Sequence, residues 1–215
     1  MNASLDYRAS GPSRSFPDGL PVAAGDGAGD GGGARVLILA GDAPVLPDDI
    51  QCFAAVLVEV GRTCLAMLVP DAPANVFGFA RFRLGDAAPT NLVELVRGEQ
   101  ADPAALDTAR AALEGAGFQV SVCADRMGRI VDRLVRPHFN LAYAAVDSGL
   151  ATRDAIESCV RSGLGYRQGL MTAVEQGGLA DHYDVSSALF EAYGLAQFAP
   201  ARQAIVARQR KDAGR

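Results

Sequence analysis

From Arg35 onward the chain alternates between uninterrupted apolar runs and polar breaks. Arg35-Val36-Leu37-Ile38-Leu39-Ala40 stops at Gly41-Asp42-Ala43-Pro44, the pattern of a strand buried on both faces. Phe53 to Val60 and Cys64 to Val69 repeat it, joined by only Gly61-Arg62-Thr63, which leaves little room for a crossover helix. Phe77 to Leu84 and Leu92 to Val96 are further candidate strands. Pro103 suits the first turn of a helix running to Glu114, with Asp102 as its cap and Gly115 and Gly117 ending it. Phe118 to Cys123 then alternates like a strand. Residues 35–125 therefore predict a small α/β layer.

Beyond Asp125 the period changes. Ile130, Leu134, His138, Leu141 and Ala145 fall on one side of a helix, which Pro137 is expected to bend. Thr152 is placed to cap a second helix whose apolar side carries Ile156 and Val160. Gly163-Leu164-Gly165-Tyr166 marks a tight break, and further helices are expected around 169–176, 184–193 and from Pro200 to Arg210. Residues 126–210 thus predict a helical bundle. Residues 1–34 show no such period: Gly11-Pro12, Phe16-Pro17-Asp18-Gly19, Leu20-Pro21 and the glycines of 25–33 predict a disordered leader rather than a secretory signal or an import presequence.

Composition narrows the classes of function. With 49% hydrophobic and 21% charged residues in 215, the chain can build a core. Its 20 basic and 25 acidic residues give a net charge of −5, against a nucleic-acid or anionic-membrane partner, since both call for concentrated basic surface. No apolar run reaches membrane-spanning length. The four cysteines, Cys52, Cys64, Cys123 and Cys159, read as free thiols in a reducing cytoplasm. Two histidines exclude a histidine-rich metal site.

Candidate chemistry is sparse. A dinucleotide fold needs Gly-x-Gly-x-x-Gly after its first strand, so that pyrophosphate can approach the backbone. Here Gly41-Asp42-Ala43-Pro44-Val45-Leu46-Pro47 offers one glycine, two prolines without amide donors and an acid of the wrong sign. Glu94 is a carboxylate inside the apolar strand run Leu92 to Val96, either a solvent-side residue or an acid that orients an imidazole. Residues 76–90 contain no histidine to orient. His138 is expected to pack in the core and His182, in Asp181-His182-Tyr183-Asp184, to sit at the surface. No nucleophile signature or triad spacing is present.

Three motifs carry a resemblance. Gly128-Arg129-Ile130-Val131-Asp132-Arg133-Leu134-Val135-Arg136-Pro137 resembles the Gly-Phe-Ile-Val-Asn-Arg-Leu-Leu-x-Pro entry into the helical domain of the 3-hydroxyacyl-CoA dehydrogenase family. Gly163-Leu164-Gly165-Tyr166-Arg167-Gln168-Gly169-Leu170 is similar to its Gly-x-Gly-Tyr-Pro-x-Gly-Pro turn, and Asn91 to Val96 to its Lys-Leu-Val-Glu-Val-Val strand. The likeness runs over 92–208. It implies a reduced Rossmann-like α/β layer followed by an all-α helical bundle of the 6-phosphogluconate dehydrogenase C-terminal type, as in the second half of bacterial enzymes with two such helical domains.

The family transfers hydride between NAD and an acyl-CoA 3-hydroxyl, with a histidine as base and a glutamate orienting it. Carried over, Glu94 takes the glutamate position, while the histidine falls at Ala80 or Phe82, neither of which can accept a proton. Asp132 stands at the family asparagine, and Arg167 and Leu170 replace two prolines. The expectation is a non-catalytic protein with no intrinsic cofactor, whose helical domain dimerises or packs on a complete dehydrogenase. Two alternatives stand beside it. One is a subunit in fatty-acid or aromatic-acid degradation that receives NAD and the histidine through a partner chain. The other is an acyl-CoA binder whose Arg81, Arg83, Arg97 and Arg129 meet CoA phosphates.

Overall fold

The computed structural model describes residues 3–21, 34–42 and 44–214. It divides into a sheet unit, Met1–Phe82 with Pro89–Arg129, and a helical unit, Arg83–Ala88 with Ile130–Arg215. Six residues between two strands, Arg83–Ala88, belong to the helical unit.

Six described strands form the sheet: β1 (Ser4–Ala9), β2 (Arg35–Ala40), β3 (Ala55–Glu59), β4 (Val76–Arg81), β5 (Leu92–Arg97) and β6 (Gln119–Ala124). All neighbours are parallel except β4 and β5. Spatial order follows chain order without a reversal. A doubly wound sheet takes its ligand where the order reverses, so this one lacks that crevice among its described strands.

Strand β2 shows how the sheet is buried on both faces. Val36, Ile38 and Ala40 join Phe77, Phe79, Val93 and Leu95 on one face, beneath Ala105, Ala109 and Leu113 of helix α2 (Pro103–Gly115). Leu37 and Leu39 join Val56, Val58, Ala80 and Val96 on the other. Asp102 caps α2 as its position implied, accepting from the amides of Ala104 and Ala105.

Two expectations for this unit are corrected. Ser4–Ala9, expected in a disordered leader, pairs along its whole length with β2, and Phe16 is buried in the first face. Leu5 and Tyr7 alternate with polar residues over too short a span to outweigh the turn residues that follow. The glycine run of 25–33, expected to be a linker, lies outside the described residues. Cys64–Val69, expected as a strand, contains the short helix α1 (Leu65–Leu68). Its buried residues are Leu65 and Val69, four apart, while Met67 and Leu68 face outward, a helical rather than an alternating pattern. The Asp125 carboxylate accepts from the Leu65 and Ala66 amides at 2.7 and 2.8 Å and supplies the cap that Cys64 cannot.

The helical unit consists of α3 (Val131–Asp147), α4 (Arg153–Leu164), α5 (Leu170–Gly177), α6 (Leu179–Tyr193) and α7 (Arg202–Asp212). Phe139, Tyr143, Val160, Leu170, Met171 and Val174 form its core. The glycine-rich turn after α4 has a physical basis. Gly165 closes α4 in the left-handed region at φ 72°. Gly169 carries no Cβ because one there would lie 1.7 Å from Oε2 of Glu157. That buried carboxylate accepts from the Met171 amide at 2.9 Å and the Thr172 hydroxyl at 2.7 Å, capping α5 from the neighbouring helix.

Candidate functional site

The site suggested by the sequence is built on β4, β5 and the turn at Gly128-Arg129. Glu94 is 1% exposed, on the same sheet face as Val96 and away from Val93 and Leu95. In the antiparallel pair Ala80 stands directly opposite it, and on the other side Ser121 of β6 is its register partner. Opposed residues in such a pair hold their Cβ atoms about 4.5–5.5 Å apart, so a side chain at 80 is the one that meets Glu94. Of the two positions the sequence left open, Ala80 is the one that register sets opposite Glu94.

The partner of Glu94 is a guanidinium. Arg129 Nε donates to Glu94 Oε2 at 3.2 Å, and the two side chains are 5% and 1% exposed. Arg129 adopts φ 48° after Gly128 at 74°, a left-handed pair at the end of the sheet unit. For a non-glycine residue that conformation costs on the order of 1 kcal/mol, which the charge pair must outweigh. The carboxylate is thus neutralised in place. Beside it, burial first and the Glu94 charge second push the Cys123 thiol up to about 11, so it stays protonated at neutral pH.

The other predicted residues are placed as follows. Asp132, at the start of α3, accepts from Arg136 Nε at 2.8 Å, an ion pair one helical turn apart. Arg81 stacks over Phe16 and Phe118, and donates to the carbonyls of Ser15 and Thr90; burial lowers its pKa. It lies on the sheet face opposite Arg129, so these two arginines cannot grip one phosphate together. Arg97 is exposed at the end of β5, and Arg83 belongs to the helical unit.

Both histidine expectations are reversed. His138 is exposed, because the face of α3 that packs carries Arg136, Phe139, Asn140, Ala142 and Tyr143. The apolar row Ile130, Leu134, Leu141 points outward, with Leu134 and Leu141 65% and 67% exposed. His182 is 1% exposed within α6, in a polar network that sequence periodicity does not reveal. Arg136 Nη1 lies 3.2 Å from His182 Nδ1, and Nε2 lies 2.9 Å from Asn140 Oδ1. A guanidinium can only donate, so Nδ1 accepts and Nε2 carries the proton donated to Asn140. Burial, and then the Arg136 charge, pull this imidazole down to about 3, so it is neutral and packed rather than a base awaiting a substrate. Among the described residues no group of three or more His, Cys, Asp and Glu is placed to hold a metal ion.

Comparison with known proteins accounts for these parts. Residues 128–215 match the model of the 3-hydroxyacyl-CoA dehydrogenase C-terminal domain. Over these residues the helical unit is similar to that domain. The chain is 31% identical over 129 residues to 3-hydroxybutyryl-CoA dehydrogenase of Mycobacterium tuberculosis, a match over 60% of this chain and 44% of that protein. It therefore spans less than half the length of that relative. The crystal structure of FadB2 from M. tuberculosis superposes with a TM-score of 0.66 at 22% identity, covering 83% of this chain and 66% of that one. The Escherichia coli 3-hydroxybutyryl-CoA dehydrogenase gives 0.66 at 19% identity, covering 84% and 40%. At these identities the structures establish the arrangement, a Rossmann-like sheet followed by helices, and nothing finer.

Arg129 is the residue that sequence reasoning missed as a partner of Glu94. Its position matches a phenylalanine in the motif that carried the resemblance, so the exchange of an aromatic for a cation there was the available signal.

Proposed function

We propose that this chain is a non-catalytic 3-hydroxyacyl-CoA dehydrogenase-like protein whose helical domain serves as a dimerisation and packing module. The observation that carries the reading is the buried Glu94–Arg129 pair facing Ala80. A carboxylate that orients a base needs an imidazole beside it and its own charge available. Here it meets a methyl group and a guanidinium. The strand order without a reversal and the single strand-end glycine support the absence of an intrinsic NAD site. Neither the protein's thiols nor its charges suggest another chemistry, and a cytoplasmic location fits four free cysteines.

The outward row on α3 supports the packing role. Leu134 and Leu141 are exposed seven residues apart, two helical turns on one side, with Ile130 in line. We take a second copy of the chain as the occupant, and a complete dehydrogenase as the alternative. Light scattering on the purified chain tests this: a dimer at micromolar concentration is expected, with Leu134→Glu/Leu141→Glu monomeric and equally folded. A wild-type monomer rejects the module. Turnover of acetoacetyl-CoA with NADH by the chain alone rejects the non-catalytic reading, whereas turnover only on mixing with a dehydrogenase favours the subunit alternative.

A further inference from the structure

The carboxyl ends of β2 and β3 form a small polar cradle with the segment that follows β1. The Gly41 amide, the first after β2, donates at 2.8 Å; the Ser15 amide donates at 2.6 Å and the Ser13 hydroxyl at 2.7 Å. All three donate to one group, the Glu59 carboxylate at the end of β3, which is 3% exposed. Open α/β sheets take anionic ligands at this edge, using backbone amides as the donors. Here the Glu59 carboxylate itself takes up the donors beyond the ends of β2 and β3.

The segment it holds is built into the sheet unit. The Ser13 hydroxyl also accepts from the Phe16 amide at 2.9 Å. Ser15 accepts from the Arg81 amide at 3.2 Å through its hydroxyl and from Arg81 Nη1 at 2.8 Å through its carbonyl. Phe16, 2% exposed, enters the core against Phe79, Phe118 and Tyr7. Residues 13–16 therefore lie across the ends of β2, β3 and β4, fastened by charge at one point and by an aromatic ring at the next. Burial first and the nearby Glu59 charge second raise the pKa of Tyr7.

We propose that residues 13–16 are a built-in strap that closes the ligand edge of the sheet, with Glu59 as the internal anion that locks it. Replacing that anion by a smaller residue vacates a cradle for a small exogenous carboxylate. This deepens the reading that the chain binds no dinucleotide of its own, and the two are separated by different measurements.

Native-state hydrogen exchange on the full chain tests the strap. In wild type the Ser15 and Gly41 amides are expected among the protected class. In Glu59→Gln they exchange about tenfold faster or more, as charge-assisted bonds give way to neutral ones, while the amides of α6 are unchanged. In Glu59→Ala, acetate but not chloride restores protection. Rapid exchange of Ser15 and Gly41 in wild type overturns the strap, as does unchanged exchange in Glu59→Gln. Should Glu59→Ala not fold, wild type and Glu59→Gln decide alone. NADH titrated to millimolar concentration into wild type tests the other reading: binding with the Ser15 amide still protected rejects that reading and leaves the strap intact.

Discussion

Ala80 and Glu94 stand opposite one another in the antiparallel β4–β5 pair, and the guanidinium of Arg129 closes on the carboxylate at 3.2 Å. A buried charge pair of this kind is costly to halve and much less costly to remove whole. Arg129→Met should lower stability by about 3–5 kcal/mol, because it breaks a buried charge pair by removing one partner. Glu94→Leu/Arg129→Met should cost less than Arg129→Met alone. Urea denaturation followed by signals of the sheet unit checks the order of the three.

An imidazole placed at 80 reports on the same relationship. In Ala80→His/Arg129→Met the ring faces Glu94 without the Arg129 cation, and its pKa should rise above that in Ala80→His. In Ala80→His alone Arg129 offsets the carboxylate. Histidine titration by NMR gives both values. Equal pKa values in the two backgrounds would mean that the ring does not meet Glu94.

His182 sets an acid limit for the helical unit. Its folded pKa, about 3, lies below the unfolded value of 6.5, so between these the unfolded chain binds the extra proton. The stability it contributes is present above about pH 6.5 and is lost as pH falls toward about 3, at up to about 1.4 kcal/mol per pH unit. His182→Gln should be less stable at neutral pH and flatter in this window. Denaturation midpoints at a series of pH values between 7 and 4 would show a parallel decline in both proteins if the imidazole were not responsible.

Gly169 and Glu157 act as one cap. Gly169→Ala puts a methyl group within 1.7 Å of the carboxylate and should displace it from the Met171 amide. Glu157→Ala removes the cap but leaves room, at a cost of about 1–2 kcal/mol. Combining the two should cost less than the sum of the single changes. Thermal melts of the four proteins provide the cycle.

The helical unit is not one continuous stretch of chain. A Cβ on Gly85 would fall 1.3 Å from the Gly177 carbonyl oxygen, and the Gly85 amide donates to Asp181. A fragment starting at residue 126 lacks Arg83–Ala88 and should melt lower than the same helices in the full chain. Equal melting temperatures would show that the segment adds nothing.

Much of this was legible in the residues. Continuous apolar runs marked β2 to β5, and the Asp102 and Thr152 caps were readable because a capping oxygen acts on amides two or three residues away. Glu94 was singled out as an acid in an apolar strand, and it is buried. What failed were features decided by distant partners. The row Ile130, Leu134, Leu141 has helical spacing whichever way it faces, and the polar network of Arg136, Asn140 and His182 took the inner side. Local sequence does not say that Arg129 will reach Glu94 across 35 residues. Nor does it say that Ser13 and Ser15 will fold back onto Glu59.

Strand order carries a kinetic consequence. Every strand of the described sheet lies beside the one made just before it, so each newly synthesised strand meets a partner that already exists. No edge has to be held open for a segment still to come, and pairing each strand with its chain neighbour keeps the sequence separation of contacts below that of a shuffled order.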